Sequence, residues 1–401
     1  MDRTHLPDEV LAHPVLARLQ PYLSGEVSVV GGVVRDALLG RVHLHDLDLV
    51  VEGDAIALAH AVAHRLGVPV AAHQRFGTAV LELPHGDGHV DFISARREYY
   101  PSPGALPVVR PGSLDDDLAR RDFTINAMAI RITGARTGEL VDPHGGLGDV
   151  EAGLVRTLRT DAFIEDPSRI VRAARYAGRL GFTVEPATCR AAQDAVTGLA
   201  WDSARAADEL RRLLEEADPG PGLSLLLGFG ATGIAPDASE RIGPLDAARG
   251  ELADRDPHAP VPPAWALRAG VALEPSARTV AALPGWARGV AQEVGEGSRL
   301  WDVLERAVQP SQVDRVLTHT PLPTLIAAHA LGAPHVLEWW TSWRGTRVAV
   351  RGADLIAAGI APGPAIGRAL GALRAAMLDG VVTDAHEQLA FAIAAARGDA
   401  G

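Results

Sequence analysis

Two aspartates, Asp46 and Asp48, interrupt an otherwise apolar segment in the sequence HDLDLVV. In a strand, residues two positions apart project from the same face, so these carboxylates are predicted to lie side by side. Like charges at that distance repel and raise each other's proton affinity, and a Mg²⁺ ion held by oxygen ligands relieves the repulsion. The alternative is an exposed strand face that carries only surface charge.

Acidic, glycine and arginine residues around this pair extend the possible chemistry. Asp91, in the alternating segment HVDFISA, would join the pair if its strand lies beside theirs. Gly31 and Gly32 end the preceding apolar run, and backbone N–H groups at such a turn can approach an anion. Arg35 follows one helical turn later. A surface acid and a plain structural turn are the alternatives.

Two later segments combine arginines with acids. RRDFTINAMAI contains Arg121 and spaces Asp122 and Asn126 so that a helix would place both on one face. Asp166 precedes Pro167, as expected of a helix N-cap followed by proline at N1. The helix that follows would gather arginines into one stripe, and they are Arg169, Arg172, Arg175 and Arg179. Taken singly, these patterns are also typical of a solvated helix surface.

The scaffold that positions these residues is predicted to begin as α/β and to continue as helices. Segments of strand length occur over about the first 150 residues, with turn residues between them. From about Asp149 apolar residues recur every three or four positions, which predicts helices and no convincing strand. A Pro/Gly break at 218–222 precedes short helices, and a further helix is predicted to open near Pro364.

Composition restricts both chemistry and compartment. The 401 residues carry a formal charge of −12 and no lysine, which excludes Schiff-base, P-loop and kinase-type lysines. The acidic balance disfavours indiscriminate nucleic-acid binding but allows a local arginine groove. The one cysteine, Cys189, excludes an internal disulfide and a Cys-rich zinc site. No signal peptide or membrane-spanning segment is recognisable, so a cytoplasmic protein is expected.

The order of these motifs resembles the bacterial class II tRNA nucleotidyltransferase / poly(A) polymerase family. The resemblance is carried by GGVVRD, DLD, RRDFTINAMA and EDPSRIVRAARYAGRLGF, and SARAADEL is similar to the family's neck segment. It implies an α+β fold in which a polymerase β-like nucleotidyltransferase head with a mixed sheet precedes all-α parts. The implied domains are the head at 1–150, a neck with the base-recognition helix at 151–220, a body at 221–347 and a tRNA-binding tail at 348–401.

The same resemblance implies two-metal phosphoryl transfer. Asp46 and Asp48 would hold two Mg²⁺ ions, with Asp91 as a third catalytic acid. The RNA 3′-hydroxyl would attack the α-phosphate of CTP or ATP in line and release pyrophosphate. The triphosphate and sugar would contact residues from several motifs, namely Gly31, Gly32, Arg35, Arg121, Asp122, Asn126, Arg172 and Arg175.

Asp166 and Arg169 resemble the residues with which the family reads the base without a template. Cytosine and adenine present an exocyclic amine beside a bare ring nitrogen, whereas guanine and uracil present a carbonyl oxygen beside an N–H. An aspartate that accepts from the amine and an arginine that donates to the ring nitrogen would satisfy the first two bases. The other two bases would leave buried groups unpaired.

The motifs leave the product open, because family members add CCA, CC alone, A alone or poly(A). The expected partners are the acceptor end of tRNA and nucleoside triphosphates; no membrane partner is expected and no oligomeric state is predicted. The segment 97–118 takes the place of a mobile loop linked in the family to switching from C to A, and it lacks the expected acid-and-arginine pattern. That departure favours a CC- or A-adding specialist within CCA addition in the broad sense. A poly(A) polymerase and a catalytically silent RNA-binding protein are the alternatives.

Overall fold

The chain forms two units. A computed structural model describes it at residues 6–41, 46–83, 88–99 and 108–398. Contacts group Met1–Thr232 in the first unit and Gly233–Gly401 in the second. The first contains strands and helices, whereas the described part of the second contains helices. This confirms the predicted α+β class with its strands ahead of a helical remainder. The finer division into head, neck, body and tail stays a prediction.

Strands of the first unit form one large mixed sheet and two small ones. The strands in its described part are β1 Val27–Val30, β2 Asp46–Val51, β3 Val70–His73, β4 Thr78–Glu82, β5 His89–Ser94, β6 Arg96–Tyr99, β7 Val108–Pro111, β8 Ala129–Arg131, β9 Leu140–Val141, β10 Leu154–Val155 and β11 Thr183–Val184. The large sheet has the order β3-β4-β5-β2-β1-β8-β9. Its strands β2 and β5 run parallel, and its other neighbours run antiparallel.

The small sheets pair β6 with β7 and β10 with β11. The second of them shows that the prediction of no strand after Asp149 was wrong. Each of its strands has only two residues, which is too short to show an alternating pattern.

Alternation in β2 and β5 separates a buried face from an acid-bearing face. Leu47, Leu49, Val90 and Phe92 are completely buried. Burying side chains of this kind stabilises the fold by about 1.5–3 kcal/mol each. Because neighbouring strand residues point to opposite faces, the residues between them, three aspartates included, share the other face.

Helices of the first unit surround the sheet and follow it. They are α1 Leu6–Leu11, α2 Pro14–Leu19, α3 Gly32–Leu38, α4 Ala55–Leu66, α5 Leu114–Ala119, α6 Gly146–Ala152, α7 Ala162–Glu165, α8 Ser168–Leu180, α9 Pro186–Ala195, α10 Ala204–Glu215 and α11 Gly220–Phe229. α8 packs against α10 and α11. A Cβ atom on Gly178 would lie 2.8 Å from the backbone nitrogen of Gly222, so the close approach of α8 and α11 requires glycine there.

The second unit is built from α12 Ala238–Arg255, α13 Ala264–Ala272, α14 Pro275–Val280, α15 Gly285–Gly295, α16 Gly297–Leu304, α17 Pro310–Leu317, α18 Leu322–Ala330, α19 Val336–Thr341, α20 Gly352–Ala357, α21 Pro364–Leu378 and α22 Ala385–Arg397. The start of α21 confirms the predicted helix at Pro364. An apolar core that includes Leu355, Ala369 and Leu373 holds the last three helices together. Within the described residues, no helix combines the length and apolar character needed to cross a bilayer.

Candidate active site

Three aspartates and a histidine share the acid-bearing face. In the parallel pair of β2 and β5, Asp46 lies opposite His89 and Asp48 lies opposite Asp91. The strand of Asp91 therefore adjoins that of the aspartate pair, as the sequence predicted. His89 Nδ1 lies 3.1 Å from Asp46 Oδ1, and its Nε2 lies 3.4 Å from Asp91 Oδ2. The His89 ring therefore contacts the carboxylates of both Asp46 and Asp91.

Burial and mutual repulsion act on the pKa values of the acids. Burial raises the pKa of Asp48 above its usual range; Arg121 opposes this rise, and the Asp91 carboxylate adds to it. Burial also raises the pKa of Asp91, against the opposing effect of His89. A cation beside these groups would favour their charged forms.

The acids fit Mg²⁺ by donor type and charge, because carboxylate oxygens are the ligands that Mg²⁺ prefers. Their spacing is not that of a formed metal site. Nowhere in the described ranges do three His, Cys, Asp or Glu side chains lie close enough together to hold a metal ion.

A cavity of about 600 Å³ opens beside Asp48 in the first unit. This volume is in the range of small-molecule sites. Its lining is Gly31, Gly32, Asp48, Thr78, Ile93, Arg96, Glu98, Arg120, Arg121, Asp122, Asn126, Asp166, Ser168, Arg169, Arg172, Tyr176, Ala204, Arg205, Asp208 and Glu209. Six of these residues are arginines and six are acids. The charges of the lining therefore balance, whereas the whole chain has a net charge of −12.

The glycine pair makes room for guanidinium groups at the end of β1. Gly31 has a φ of 74°, and a Cβ atom there would lie 2.7 Å from Arg121 Nη1. Its N–H donates to the carbonyl of Met128 at 3.1 Å. A Cβ atom on Gly32 would lie 3.3 Å from Arg35 Nη2. Side chains at these two positions would therefore crowd both arginines.

Asp122 and Asn126 are hydrogen-bonded, but the helix predicted for them is wrong. The segment contains only a 3₁₀ turn at Thr124–Asn126. Asn126 Nδ2 nevertheless donates to Asp122 Oδ1 at 3.1 Å, so a tight turn brings the two side chains together. Arg121 donates to the Asn126 carbonyl at 3.2 Å, and its Nε is buried with no hydrogen-bond partner among the described residues.

Asp122 is held in its charged form although it is buried. Its carboxylate accepts from Phe123 N at 2.8 Å and from Arg172 Nε at 2.7 Å. Burial alone would raise the pKa of Asp122, but Arg172, the Asn126 amide and Arg169 outweigh it and lower the pKa to about 2. The carboxylate therefore stays ionised over the range in which enzymes work.

The arginines of α8 are paired with acids from distant segments. Arg172 Nη1 donates to Glu209 Oε1 at 2.7 Å, while Arg175 donates to Glu209 Oε2 at 3.1 Å and to Glu216 at 3.3 Å. Burial alone would lower the pKa of Arg172, but Asp122, Tyr176 and Glu209 raise it well above its usual value. The solvated-surface alternative is thus wrong for Arg172 and Arg175.

The ring of Tyr176 is the meeting point of the arginine stripe. Four guanidinium carbons lie between 4.6 and 5.5 Å from its centroid, those of Arg35, Arg172, Arg175 and Arg179. Cation–π attraction of this kind holds cations together that would otherwise repel. Tyr176 and Arg172 line the cavity, so this part of the cluster belongs to its wall.

Asp166 and Arg169 lie where α8 meets the cavity. The helix begins at Ser168, with Pro167 as its cap residue, so the predicted N-cap at Asp166 is displaced by one position. Asp166 Oδ1 still accepts from Ser168 N at 3.1 Å, and its Oδ2 accepts from Arg205 Nη1 at 2.7 Å. Arg169 Nη2 donates to the Arg120 carbonyl at 3.4 Å.

Comparisons with known proteins match most of this chain. The model of the poly(A) polymerase head domain matches residues 27–156. A CC-adding tRNA nucleotidyltransferase of Deinococcus radiodurans is 37% identical over 363 residues, 90% of this chain and 87% of that protein. This chain belongs to the tRNA nucleotidyltransferase / poly(A) polymerase family.

Two further members of the family are similar to all or part of the chain. An A-adding tRNA nucleotidyltransferase of Aquifex aeolicus is 51% identical over 168 residues, which are 42% of this chain and 20% of that protein. The solved structure of a Thermotoga maritima CCA-adding enzyme in complex with tRNA has a TM-score of 0.76 and 26% identity, and the match covers 98% of each chain.

Most of the predicted site residues, but not all of them, line the 600 Å³ cavity. Gly31, Gly32, Asp48, Arg121, Asp122, Asn126, Asp166, Arg169 and Arg172 line it. Asp46 and Asp91 lie beside it on the sheet, and the side chain of Asp46 is 76% exposed. Arg35 and Arg175 are buried behind the lining, where they hold Asn126 and Glu209.

Sequence reasoning missed several lining residues, and Arg96, Glu98 and Arg120 form one group of them. Glu98 accepts from Arg96 at 2.8 Å and from Arg120 at 2.9 Å, and Asp117 accepts from both Arg120 and Arg121. The arginine pair and the run of three aspartates from 115 to 117 were visible, but only the folded hairpin brings Glu98 to them.

The segment 97–118 is more regular than the loop predicted there. Its described ends form β6, β7 and the start of α5, and α5 opens with a capping box between Ser113 and Asp116. Residues 100–107 lie outside the described residues. The role of this segment in the choice between C and A stays a prediction.

Proposed function

We propose that the chain is a CC-adding tRNA nucleotidyltransferase, which transfers two cytidylates from CTP to the 3′ end of tRNA. The observation that carries this proposal is the match to the Deinococcus radiodurans CC-adding enzyme, because it extends over 90% of this chain and 87% of that protein. The departure of the segment 97–118 from the family's C-to-A loop pattern supports a specialist of either kind, CC-adding or A-adding.

The acid-bearing face would supply the metal site. We assign Asp46 and Asp48 as ligands of two Mg²⁺ ions and Asp91 as the third catalytic acid, because the three carboxylates share one face of β2 and β5. Bound there, Mg²⁺ would neutralise triphosphate charge and make the 3′-hydroxyl more acidic. The protein's own part is to hold these carboxylates at the mouth of the cavity, where Asp48 already lies.

The cavity would hold the nucleotide by fixed cations and donors. The unpaired N–H of Arg121 Nε faces no competing acceptor among the described residues and suits a phosphate oxygen. Asp122 and Asn126 would accept from and donate to the sugar hydroxyls. Arg172, anchored on Asp122 and Glu209, adds charge to the wall. Arg35 and Arg175 would act through the residues they hold.

Asp166 and Arg169 would read the base at the α8 end of the cavity. The bonds from Ser168 and Arg205 fix the Asp166 carboxylate, so its direction is set before a base arrives. A carboxylate fixed in this way accepts from the amine of cytosine or adenine and repels the carbonyl oxygen of uracil or guanine.

Incorporation of labelled CTP and ATP into tRNA transcripts would test the proposal. Transcripts would end at the discriminator base, after the first C and after CC, and products would be separated on a sequencing gel. A CC-adding enzyme extends the first transcript by two cytidines and the second by one, and it leaves the third unchanged. Extension of the third transcript by A would contradict the proposal.

A-addition is the second candidate, and the Aquifex aeolicus relative favours it. Identity to that A-adding enzyme reaches 51%, although over only 42% of this chain. The same three transcripts separate the candidates, since an A-adding enzyme would extend only the transcript that ends in CC.

A further inference from the structure

A second pocket lies on the acid-bearing face, on the other side of the catalytic acids from the nucleotide cavity. It is open, has a volume of about 450 Å³, and is lined by Val80, Glu82, Leu83, Gly88 and His89. None of these residues lines the first cavity. Nothing in the proposed nucleotide contacts uses this pocket.

Strand register gives the order of residues across that face. The row Asp46–His89–Glu82 crosses β2, β5 and β4, and the next row is Asp48–Asp91–Val80. The third row contains Ile93 and Thr78, which line the nucleotide cavity together with Asp48. The pocket is thus at one end of the face and the cavity at the other, with the aspartates between them.

In-line transfer requires two binding places with this arrangement. The attacking 3′-oxygen approaches the α-phosphorus from the side opposite to the leaving pyrophosphate, so the acceptor strand and the triphosphate lie on opposite sides of the reacting atoms. If CTP occupies the cavity beside Asp48, the acceptor end belongs on the side of His89.

We propose that this pocket binds the 3′-terminal nucleoside of the acceptor RNA, with the His89 ring as a stacking surface. The inference rests on the proposed function and adds the second substrate's subsite to it. His89 is a binding residue for the acceptor in this account.

The chemistry of the pocket suits a nucleoside better than a phosphate. Its described lining contains no arginine, and its one acid, Glu82, is exposed and repels phosphate while accepting from ribose hydroxyls or an exocyclic amine. Val80 and Leu83 give it apolar surface. The His89 side chain is 42% exposed although its ring nitrogens lie 3.1 and 3.4 Å from aspartate oxygens, and the exposed part of an aromatic ring is a surface on which a base can stack.

Two substitutions at His89 separate stacking from contacts to the acids. His89→Ala removes the ring, whereas His89→Phe keeps an aromatic face and removes both nitrogens. We expect His89→Ala to raise the KM for tRNA ending in a single C roughly tenfold, the scale of one lost base–aromatic stack, with the KM for CTP unchanged. His89→Phe should keep the KM for tRNA close to that of the wild type. The matched control is His64→Ala, an exposed histidine of α4 away from both pockets.

Equal increases in the KM for tRNA in His89→Ala and His89→Phe would overturn the proposal, because the nitrogen contacts to the aspartates would then be the cause. An unchanged KM for tRNA in His89→Ala, or a rise in the KM for CTP alone, would overturn it as well.

A binding measurement keeps this test independent of turnover. An acceptor-stem minihelix ending in the fluorescent base pyrrolo-cytidine should be quenched on binding to the wild type and to His89→Phe, and less so by His89→Ala. If the wild type quenches the probe but adds no nucleotide, the proposed function fails while the acceptor subsite stands. If quenching is the same in all three proteins, the subsite fails whatever the enzyme adds.

Discussion

The charged side chains on the acid-bearing face of the sheet and those in the arginine stripe of α8 have opposite electrostatic surroundings. On the sheet, Asp48 and Asp91 have raised pKa values because burial and neighbouring carboxylates disfavour their charged forms. On the helix, Arg172 and Arg175 are neutralised by Asp122, Glu209 and Glu216. The charge of the sheet acids is therefore disfavoured by their surroundings, whereas the charge of these arginines is balanced by acids from other segments of the chain.

This difference separates two kinds of site residue that look alike in the sequence. Unbalanced charge on a face beside a cavity indicates a group kept for a ligand, because folding alone would not select it. A charged group that is balanced by a partner within the protein indicates a structural role in the wall of the cavity. Substitutions in the two regions should therefore affect different measurements, activity in the first and stability in the second.

Asp48→Asn should have the largest effect on activity and should not destabilise the fold. It removes a proposed metal ligand, so CTP incorporation should fall to the detection limit. It also removes a carboxylate whose charged form is disfavoured in the folded state, so the Tm should stay the same or rise. Turnover assays and thermal unfolding measure the two effects, with exposed Asp194→Asn of α9 as the control. A clear decrease in the Tm of Asp48→Asn would contradict the claim that substitutions on the acid-bearing face affect activity and not stability.

Glu209→Ala should have the largest effect on stability. It removes the shared partner of buried Arg175 and half-buried Arg172, each of which keeps one other acid, so the free energy of unfolding should fall by about 3 kcal/mol, the lower end of the cost of breaking a buried ion pair. Glu215→Ala, on the same helix in an exposed pair with Arg211, should change it by only about 0.5 kcal/mol. Urea unfolding compares the two variants. Equal effects would mean that the arginine cluster does not depend on α10.

Asp166→Ala should act on the choice of base. Loss of one charge-assisted hydrogen bond to the base is worth about 1.5–3 kcal/mol, so the preference for CTP over UTP in kcat/KM should fall roughly 10- to 100-fold. Asp161→Ala, in an exposed turn just before α7, is the control. A preference that stays at the wild-type level in Asp166→Ala would place base reading elsewhere.

Asp122 should make stability depend on pH in acid. Its pKa is lowered to about 2 in the folded state from an ordinary value of 3.8, so the folded state gains stability from its charge above about pH 4. About 2 kcal/mol of this should be lost as the pH falls from about 4 to about 2. Asp122→Asn should flatten unfolding free energy against pH over this window, while exposed Asp202→Asn should keep the slope. An unchanged slope in Asp122→Asn would mean that Arg172 does not hold this carboxylate.

Local patterns predicted the strands of the site well and its long-range pairs poorly. Alternation placed Asp46, Asp48 and Asp91 on one face, because strand geometry fixes the direction of every second side chain. The same rule placed His89 there, but nothing in the sequence marks a histidine as a neighbour of two acids. Turn geometry misled the prediction at Asp122 and Asn126, since a 3₁₀ turn brings side chains together much as a helix does.

Ion pairs between residues far apart in the sequence could not be predicted from local sequence patterns. Arg172 on α8 and Glu209 on α10 are 37 positions apart, and Asp166 and Arg205 are 39 positions apart. Glu98 reaches Arg120 only through the hairpin of β6 and β7. Such contacts follow from topology, which the motifs alone do not specify.

The most direct test of the central claim is the length of product formed on a tRNA transcript that ends at the discriminator base, with CTP and ATP both present. The proposed CC-adding activity predicts two added cytidines and then a stop, even with ATP in excess. Extension to CCA, addition of A alone, a long A tail or no extension would contradict it.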